Sequence, residues 1–210
     1  MMKTTLALTA LAAVAAAQES YYNITSKPFQ LVLTSADGSI DDTVSACHTG
    51  AALESLCLSN SNSTSKPDPT NYDTFNFNTS IYSQAPSNNP ELGVPGILTW
   101  FLPTANAGSV PSSVYFNYDP ATDSAVPIIR PGSSEPQTLA FNSQDELIVQ
   151  SYIDWAANPP KGTETTGLKR WYACRTYFAG YQYDNLAWGL GNHKPENPTC
   201  VAVTVKRVFV

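Results

Sequence analysis

Apolar residues recur at every second position along much of the chain. Phe29, Leu31 and Leu33 lie two residues apart within residues 29–35, a spacing that predicts a strand with one buried face. Asp37-Gly38 follows and is a strong signal for a two-residue hairpin turn. Similar runs predict strands at 74–78, 97–102, 113–118, 125–129, 138–141, 147–153, 171–178, 183–190 and 200–210.

Three segments depart from simple alternation. Residues 97–102 (ILTWFL) are apolar on both faces, which predicts a central strand. Pro127 interrupts 125–129 and favours an edge strand or irregular structure there. Residues 47–57 (CHTGAALESLC) have a spacing of Ala and Leu that predicts a short helix closed by a disulfide. Residues 59–71 are polar and residues 83–96 are rich in Pro, Gly and Asn, so both segments are predicted to be loops.

About nine short strands separated by turn signals indicate an all-β fold. The 16 prolines argue against long helices, because proline costs about 3 kcal/mol inside a helix. We therefore predict an antiparallel β-sandwich or barrel with at most one short helix, forming a single β-rich domain over residues 18–210.

The first residues have the features of a secretory signal peptide. Lys3 precedes a short apolar run from Leu6 to Val14, and Ala15 and Ala17 occupy the small positions of a cleavage site. The apolar run is too short to cross a bilayer about 30 Å thick. We expect cleavage before Gln18, so that 1–17 is removed and the domain is secreted to the cell exterior or cell wall.

Composition narrows the choice of partners. The net charge is −6 and no basic patch is present, so nucleic acid is a poor partner. Lys206 and Arg207 interrupt the apolar C-terminal residues, which argues against a lipid-anchor signal. We expect a protein without membrane insertion whose partners are cell-wall polysaccharide or surface glycans.

Four cysteines in a secreted chain predict two disulfides. Three pairings are open, and we favour Cys47–Cys57 and Cys174–Cys200 because the members of each pair are close in sequence. A zinc site is not expected, since no Cys-x-x-Cys spacing occurs and the two histidines are far apart. No cofactor motif is present.

Three sequons satisfy the Asn-x-Ser/Thr rule and predict N-glycosylation. They begin at Asn23, Asn62 and Asn78. Asn197 is excluded because proline follows it.

Residues 170–191 (RWYACRTYFAGYQYDNLAWGLG) contain seven aromatic side chains. Both predicted strands here have an apolar face, and Cys174 must reach a partner, so core packing is the favoured interpretation. Exposed rings can also stack on sugars. The residues considered for such a binding platform are Trp155, Trp171, Tyr177, Tyr181 and Tyr183.

Candidates for catalysis are weak. No Gly-x-Ser-x-Gly elbow occurs, and His48 and His193 are interpreted as structural or surface residues. A glycosidase would need two carboxylates across a cleft. The acids considered are Asp41, Asp42, Asp145, Glu146, Asp154 and Asp184. No residue is assigned a catalytic role.

Several segments resemble those of a group of small secreted ascomycete proteins that form domain-of-unknown-function families. They are ACHTGAALESLCL, RWYAC followed by YDNLAW, and the ending from NPTC to RVFV. The order of signal peptide, β-rich body and terminal cysteine strand is also loosely similar to fungal cell-wall proteins of the phialide type. Neither resemblance supplies catalytic residues.

Three classes of function follow from these features. The first is a secreted, N-glycosylated fungal cell-surface or cell-wall protein with a structural or interaction role and no catalytic activity. The second is a glycan-binding, lectin-like module that uses exposed aromatic rings. The third and weakest is an extracellular hydrolase.

Overall fold

The computed structural model describes residues 21–61, 72–105, 108–132 and 134–210. These residues contain no α-helix; their only helical segment is a 3-10 turn at Pro90–Leu92. The strands are β1 (Ile24–Thr25), β2 (Phe29–Thr34), β3 (Asp41–Gly50), β4 (Leu53–Leu58), β5 (Asn76–Thr79), β6 (Ile97–Thr104), β7 (Gly108–Asp119), β8 (Ser124–Pro131), β9 (Ala140–Phe141), β10 (Leu147–Asp154), β11 (Lys161–Leu168), β12 (Trp171–Phe178), β13 (Tyr181–Gly189), β14 (Val201–Ala202) and β15 (Thr204–Phe209). The predicted all-β class is confirmed. The predicted signal peptide, residues 1–17, lies outside the described residues.

The strands form one large and one small antiparallel sheet. The order of the large sheet is β1-β5-β6-β7-β8-β13-β4-β3-β2-β15, and β12 lies beside β13 with β14 on its other edge. The small sheet has the order β11-β10-β9. No helix among the described residues is long and apolar enough to cross a membrane.

The large sheet curls so strongly that strands near its two ends are bonded to each other. Phe29 of β2 and Phe75, just before β5, exchange backbone hydrogen bonds of 2.9 and 2.8 Å. These strands stand next to last at opposite ends of the strand order. The sheet is therefore a half-barrel, and the apolar faces of its strands surround one core.

The small sheet packs against this core and adds to it. Phe141 and Leu147 of the small sheet belong to the same buried cluster as Trp171 of β12. The indole Nε1 of Trp171 donates a 2.7 Å hydrogen bond to the Leu147 carbonyl oxygen. The Trp171 ring also contacts Phe116 and Trp188, with ring centroids 6.0 and 4.8 Å away.

Both favoured disulfides are present, Cys47–Cys57 and Cys174–Cys200. The second joins β12 to the residue before β14, and these strands are neighbours in one sheet through the Ala173–Val201 pair. The predicted C-terminal strand is divided at Val203, whose backbone N–H instead donates to the Trp171 carbonyl.

The short helix predicted for 47–57 is wrong. These residues form the hairpin of β3 and β4, in which Ala46 pairs with Leu56 and Cys47 with Ser55. Residues 51–52 make the turn, and Ala52 adopts a φ of 56°. The Ala and Leu spacing resembled a helical pattern because the hairpin is buried on both faces, which removes the alternation on which strand recognition relies.

The prediction that 125–129 is an edge or irregular strand is also wrong. β8 lies inside the sheet, with β7 on one side and β13 and β4 on the other. Pro127 falls where the neighbour of β8 changes from β13, paired at Ala125, to β4, paired at Ile128. A proline has no backbone N–H to donate. Between the β13 pairing and the β4 pairing, no N–H donor is needed on that side of β8.

The described residues contain more strands than the nine or so predicted. The clearest omission is β11, whose KGTETTGL sequence is polar and mostly exposed. It pairs with β10 as the outer strand of the small sheet. An exposed strand has no buried face, so its sequence lacks an apolar alternation.

The two disulfides offer a matched comparison of stability. Replacing Cys174 and Cys200 by alanine should lower the free energy of unfolding by about 2–5 kcal/mol, because the unfolded chain regains the freedom of the open loop. Cys47 and Cys57 are separated by 10 positions rather than 26, so the corresponding double variant should lose about 1 kcal/mol less. Urea unfolding followed by circular dichroism measures both. Wild-type stability in the Cys174/Cys200 variant would contradict this account.

Candidate functional site

The five aromatic residues proposed as a platform do not form one surface. Trp171 and Tyr183 are buried, at 2% and 0% exposure, whereas Trp155, Tyr177 and Tyr181 are exposed. Trp155 lies in the turn between β10 and β11, away from the β12–β13 hairpin that holds the other exposed rings. The predicted core role is therefore correct for part of the cluster, and a single five-ring platform is not present.

Tyr183 stabilises the hairpin of β3 and β4. Its ring packs on the Cys47–Cys57 disulfide together with Phe178. Its hydroxyl donates a 2.9 Å hydrogen bond to the His48 carbonyl oxygen. A residue with these contacts is not available to a ligand.

The β7–β8 hairpin and the β12–β13 hairpin line a polar and aromatic cleft of about 460 Å³. One wall is the turn between β7 and β8, and the other is the β12–β13 hairpin with the loop before β14. Because two tyrosines project into it, we call it the tyrosine cleft. Its lining residues are Asn117, Tyr118, Asp119, Thr122, Ser124, Val126, Arg175, Thr176, Tyr177, Gln182 and Asn197.

Internal hydrogen bonds fix the β12 wall of the tyrosine cleft. Arg175 Nε and Nη2 donate to the two carboxylate oxygens of Asp184 at 2.8 and 3.0 Å. This carboxylate raises the pKa of Arg175. Asn197 Nδ2 donates to the Arg175 carbonyl, and Asn197 Oδ1 accepts from Thr199. These groups form a frame whose hydrogen bonds hold the cleft in shape.

The opposite wall is set by the turn after β7. Asp119 accepts hydrogen bonds from the Ala121 backbone N–H and the Thr122 hydroxyl. Asn117 and Tyr118 precede this turn, and neither side chain has a hydrogen-bond partner within the part of the chain that the structure describes. Their polar groups can therefore bind a ligand without breaking an existing bond.

The acids considered for hydrolysis are dispersed and engaged elsewhere. Asp42 accepts from Asn60, Asp154 from the Ala156 backbone N–H, and Asp184 from Arg175. The others lie at the start of β3 (Asp41) and in the turn before β10, where Asp145 pairs with Arg207 and Glu146 with Lys169. No two of them line the tyrosine cleft.

The two histidines are exposed side chains, each near one acid. His48 Nδ1 lies 3.9 Å from Glu54, and His193 Nε2 lies 3.8 Å from Asp123. In 21–61, 72–105, 108–132 and 134–210 no group of three or more His, Cys, Asp or Glu side chains is placed to hold a metal ion.

Glu54 is the acid whose protonation the fold changes most clearly. It is 9% exposed and pairs across the hairpin with His48. Burial raises the pKa of Glu54 to about 7, because the charged form loses its hydration. The carboxyl group is therefore protonated in the folded protein at mildly acidic pH.

The described sequons differ in accessibility. Asn23 is exposed beside edge strand β1. Asn78 lies in β5, is half-buried, and donates through Nδ2 to the Tyr22 carbonyl oxygen at 3.3 Å. Asn62 lies outside the described residues. An N-linked oligosaccharide is attached at the asparagine Nδ2. This atom is hydrogen-bonded within the fold at Asn78 and exposed at Asn23, so Asn23 is the more accessible of the two sites.

Sequence reasoning identified Tyr177 but missed the rest of the tyrosine cleft. Tyr118 and Asn117 end a strand that was predicted, yet only long-range folding brings them to the same cleft as Tyr177. The one available signal was the turn sequence NYDPATD, in which an exposed tyrosine precedes an aspartate-capped turn.

The fold and the cleft together define an all-β, disulfide-linked protein with an exposed polar and aromatic cleft. The chain belongs to the family described as "Domain of unknown function (DUF7907)", whose model matches residues 26–209. The expected membership of a domain-of-unknown-function family is thereby confirmed. No curated protein and no solved structure matches the chain.

The raised pKa of Glu54 predicts a pH-dependent effect of Glu54→Gln. The proton on folded Glu54 stabilises the fold fully below the ordinary pKa of 4.5, and this contribution is lost as pH rises through about 7. Glu54→Gln keeps a neutral side chain at every pH. The variant should therefore gain stability relative to wild type between pH 5 and pH 8, as measured by urea unfolding across that range.

A control variant separates Glu54 from its neighbour. His48→Gln removes the imidazole while leaving the buried carboxyl, and the pH dependence attributed to Glu54 should persist in it. A stability difference between Glu54→Gln and wild type that stays constant across the pH range would show that burial does not shift this group.

Proposed function

We propose that this protein is a non-catalytic carbohydrate-binding protein of the cell exterior, with the tyrosine cleft as its binding site. This joins the expected interaction role at a cell surface to the expected lectin-like activity. Binding to cell-wall polysaccharide or surface glycans gives a secreted domain a means of being held at a wall.

The observation that carries the proposal is the pair of exposed rings in one cleft. Tyr118 and Tyr177 are 62% and 73% exposed and both line it. A tyrosine ring offers a flat apolar face with a polar edge, which suits a sugar, whose C–H groups lie on its faces and whose hydroxyls lie at its rim. Asn117 and Gln182 add amide groups, which donate and accept hydrogen bonds.

The bonding of the acids supports binding rather than hydrolysis. A glycosidase acid must hold a proton and reach the glycosidic oxygen. Asp184 beside the cleft accepts two bonds from the Arg175 guanidinium, and Asp119 caps its own turn. Both carboxylates are thus committed to holding the cleft walls.

The exterior location rests on several independent features. They are the signal-peptide pattern of residues 1–17, two disulfides of the kind that oxidising compartments favour, and an exposed sequon at Asn23. The resemblance to small secreted ascomycete proteins supports a fungal source and a cell-wall setting.

Removing either tyrosine ring should weaken glycan binding. A ring contact contributes about 0.5–1.5 kcal/mol, so Tyr118→Ala and Tyr177→Ala should each raise the dissociation constant about 3- to 10-fold. A glycan array with β-glucan, chitin and mannan fragments selects the ligand, and calorimetry then measures the affinity. Tyr177→Phe keeps the ring and should keep most of the affinity.

Tyr152→Ala is the matched control. Tyr152 is 64% exposed on β10 and does not line the tyrosine cleft, so its loss should leave the affinity unchanged. The proposal fails if no glycan binds, or if binding is equal in the Tyr118, Tyr177 and Tyr152 variants.

Secretion and glycosylation are tested together. Expressed from its full sequence in a filamentous fungus, the protein should reach the medium or wall with Gln18 as its first residue. Peptide mapping after deglycosylation in ¹⁸O-water should mark Asn23 and leave Asn78 unmarked, because Asn78 Nδ2 is bonded within the fold. Retention inside cells, or a glycan at Asn78 with Asn23 empty, would contradict the exterior location or the site assignment, respectively.

A further inference from the structure

The charged residues that line the tyrosine cleft do not balance each other. They are one carboxylate, Asp119, and one cation, Arg175. Asp184, the residue opposite Arg175 on β13, accepts two hydrogen bonds of 2.8 and 3.0 Å from its guanidinium. The Arg175–Asp184 pair is therefore neutral as a whole, and the charge of Asp119 is left without an opposite charge.

The hydrogen-bond partners of Asp119 are neutral. One carboxylate oxygen accepts from the Ala121 backbone N–H at 3.1 Å, and the other accepts from the Thr122 hydroxyl at 2.9 Å. Within the described ranges no lysine, arginine or histidine forms an ion pair with this carboxylate. A carboxylate offers about four acceptor sites, so about two remain for the donors of a ligand.

The segments beside the cleft are acidic as well. The turn over 119–124 and the loop over 190–199 are held together by a 3.0 Å hydrogen bond from the Glu196 backbone N–H to the Thr122 carbonyl oxygen. Together they contain three acids, one lysine and one histidine, so the acids are in excess even when the histidine is protonated. These residues are Asp119, Asp123, Glu196, Lys194 and His193.

The two exposed rings of the cleft also favour a positively charged ligand. The face of a tyrosine ring is the negative side of its quadrupole and attracts an ammonium group placed over it. Tyr118 directly precedes Asp119, so ring and carboxylate belong to the same wall of the cleft. The Tyr177 hydroxyl donates to the Gly180 carbonyl oxygen, whereas its ring remains exposed. A carboxylate and two ring faces thus line one cleft.

We propose that the tyrosine cleft binds a cationic saccharide, an oligomer of amino sugars whose amines are free and protonated. This inference rests on the proposed carbohydrate binding and names the class of its ligand. The ammonium group contacts Asp119 and a tyrosine face, while the amide of Asn117 bonds to the sugar hydroxyls. An acetylated amino sugar is neutral and lacks the ammonium contact. A saccharide that bears carboxylates is repelled.

The test compares two tetrasaccharides that differ only in their acetyl groups. They are the β-1,4-linked tetramers of glucosamine and of N-acetylglucosamine, titrated by calorimetry at the same mildly acidic pH and low salt. The glucosamine tetramer should bind about 2- to 5-fold more tightly, as expected for one exposed charge contact. This preference should disappear at about 1 M salt, where charges are screened beyond about 3 Å. A galacturonate tetramer should not bind.

A single substitution assigns the preference to its carboxylate. Asp119→Asn keeps an oxygen that can accept from the Ala121 N–H but removes the charge, so it should abolish the preference and leave binding of the acetylated tetramer in place. Glu164→Gln removes an exposed acid of β11 outside the cleft and should retain the wild-type preference. Circular dichroism and a cooperative urea transition establish that each variant is folded. The wild-type comparison and its salt dependence do not depend on any variant.

The outcomes distinguish this inference from the proposed function. Equal binding of the two tetramers, tighter binding of the acetylated one, or a preference that persists in folded Asp119→Asn overturns the cationic ligand. Carbohydrate binding itself then still stands if Tyr118→Ala and Tyr177→Ala weaken the binding of either tetramer. Tetralysine tests charge without a sugar, and binding as tight as that of the glucosamine tetramer also overturns the inference. If no saccharide binds, both proposals fail.

Discussion

The indole of Trp171 connects the two sheets, and the remaining architecture is arranged around it. Its N–H bonds to the small sheet through Leu147, and its ring packs on Phe116 and Trp188 of the half-barrel. Its backbone carbonyl receives the N–H of Val203, where the C-terminal strand is divided. A buried indole needs a partner for its N–H, so the position of the small sheet is fixed by a polar contact within an apolar core. The same ring also lines a cavity of about 250 Å³ beside the starts of β10 and β12.

The β12–β13 hairpin serves the core at one end and the surface at the other. At its base Trp171 pairs with Trp188 inside the half-barrel, while near its tip Tyr177 pairs with Gln182 in solvent. One face of a single strand thus changes from core to cleft along its length. The Arg175–Asp184 pair lies at the transition and joins the two strands on the exposed side. For this reason residues 170–191 include both core residues, such as Trp171, and exposed residues, such as Tyr177.

The sequence predicted the all-β class, the position of the Asp37-Gly38 turn and both disulfides, since each depends on local spacing or on the count of cysteines. The turn itself is a loop over 36–39 and not the two-residue turn expected. It failed where a local pattern was absent or misleading. The hairpin at 47–57 is buried on both faces, β11 is exposed, and Pro127 lies in a gap between two ladders that only the sheet topology creates. The tyrosine cleft is lined by Tyr118 and Tyr177, which are far apart in the chain, and no local signal predicts which hairpins contribute to one cleft. Long-range strand pairing decides this, and a single sequence does not reveal it.

The pairing of β2 with β15 imposes an order of events on biosynthesis. Phe29 pairs with Phe209, so β2 has no partner on that edge until β15, far later in the sequence, has been synthesised. Cys47 and Cys57 lie in one local hairpin and can be oxidised early, whereas Cys200 is synthesised much later than either of them. Domains with such non-local pairing fold slowly and expose unpaired strand edges meanwhile. During that interval β2 presents an apolar strand with an open edge, and protection of that strand depends on the chaperones of the compartment in which the chain folds.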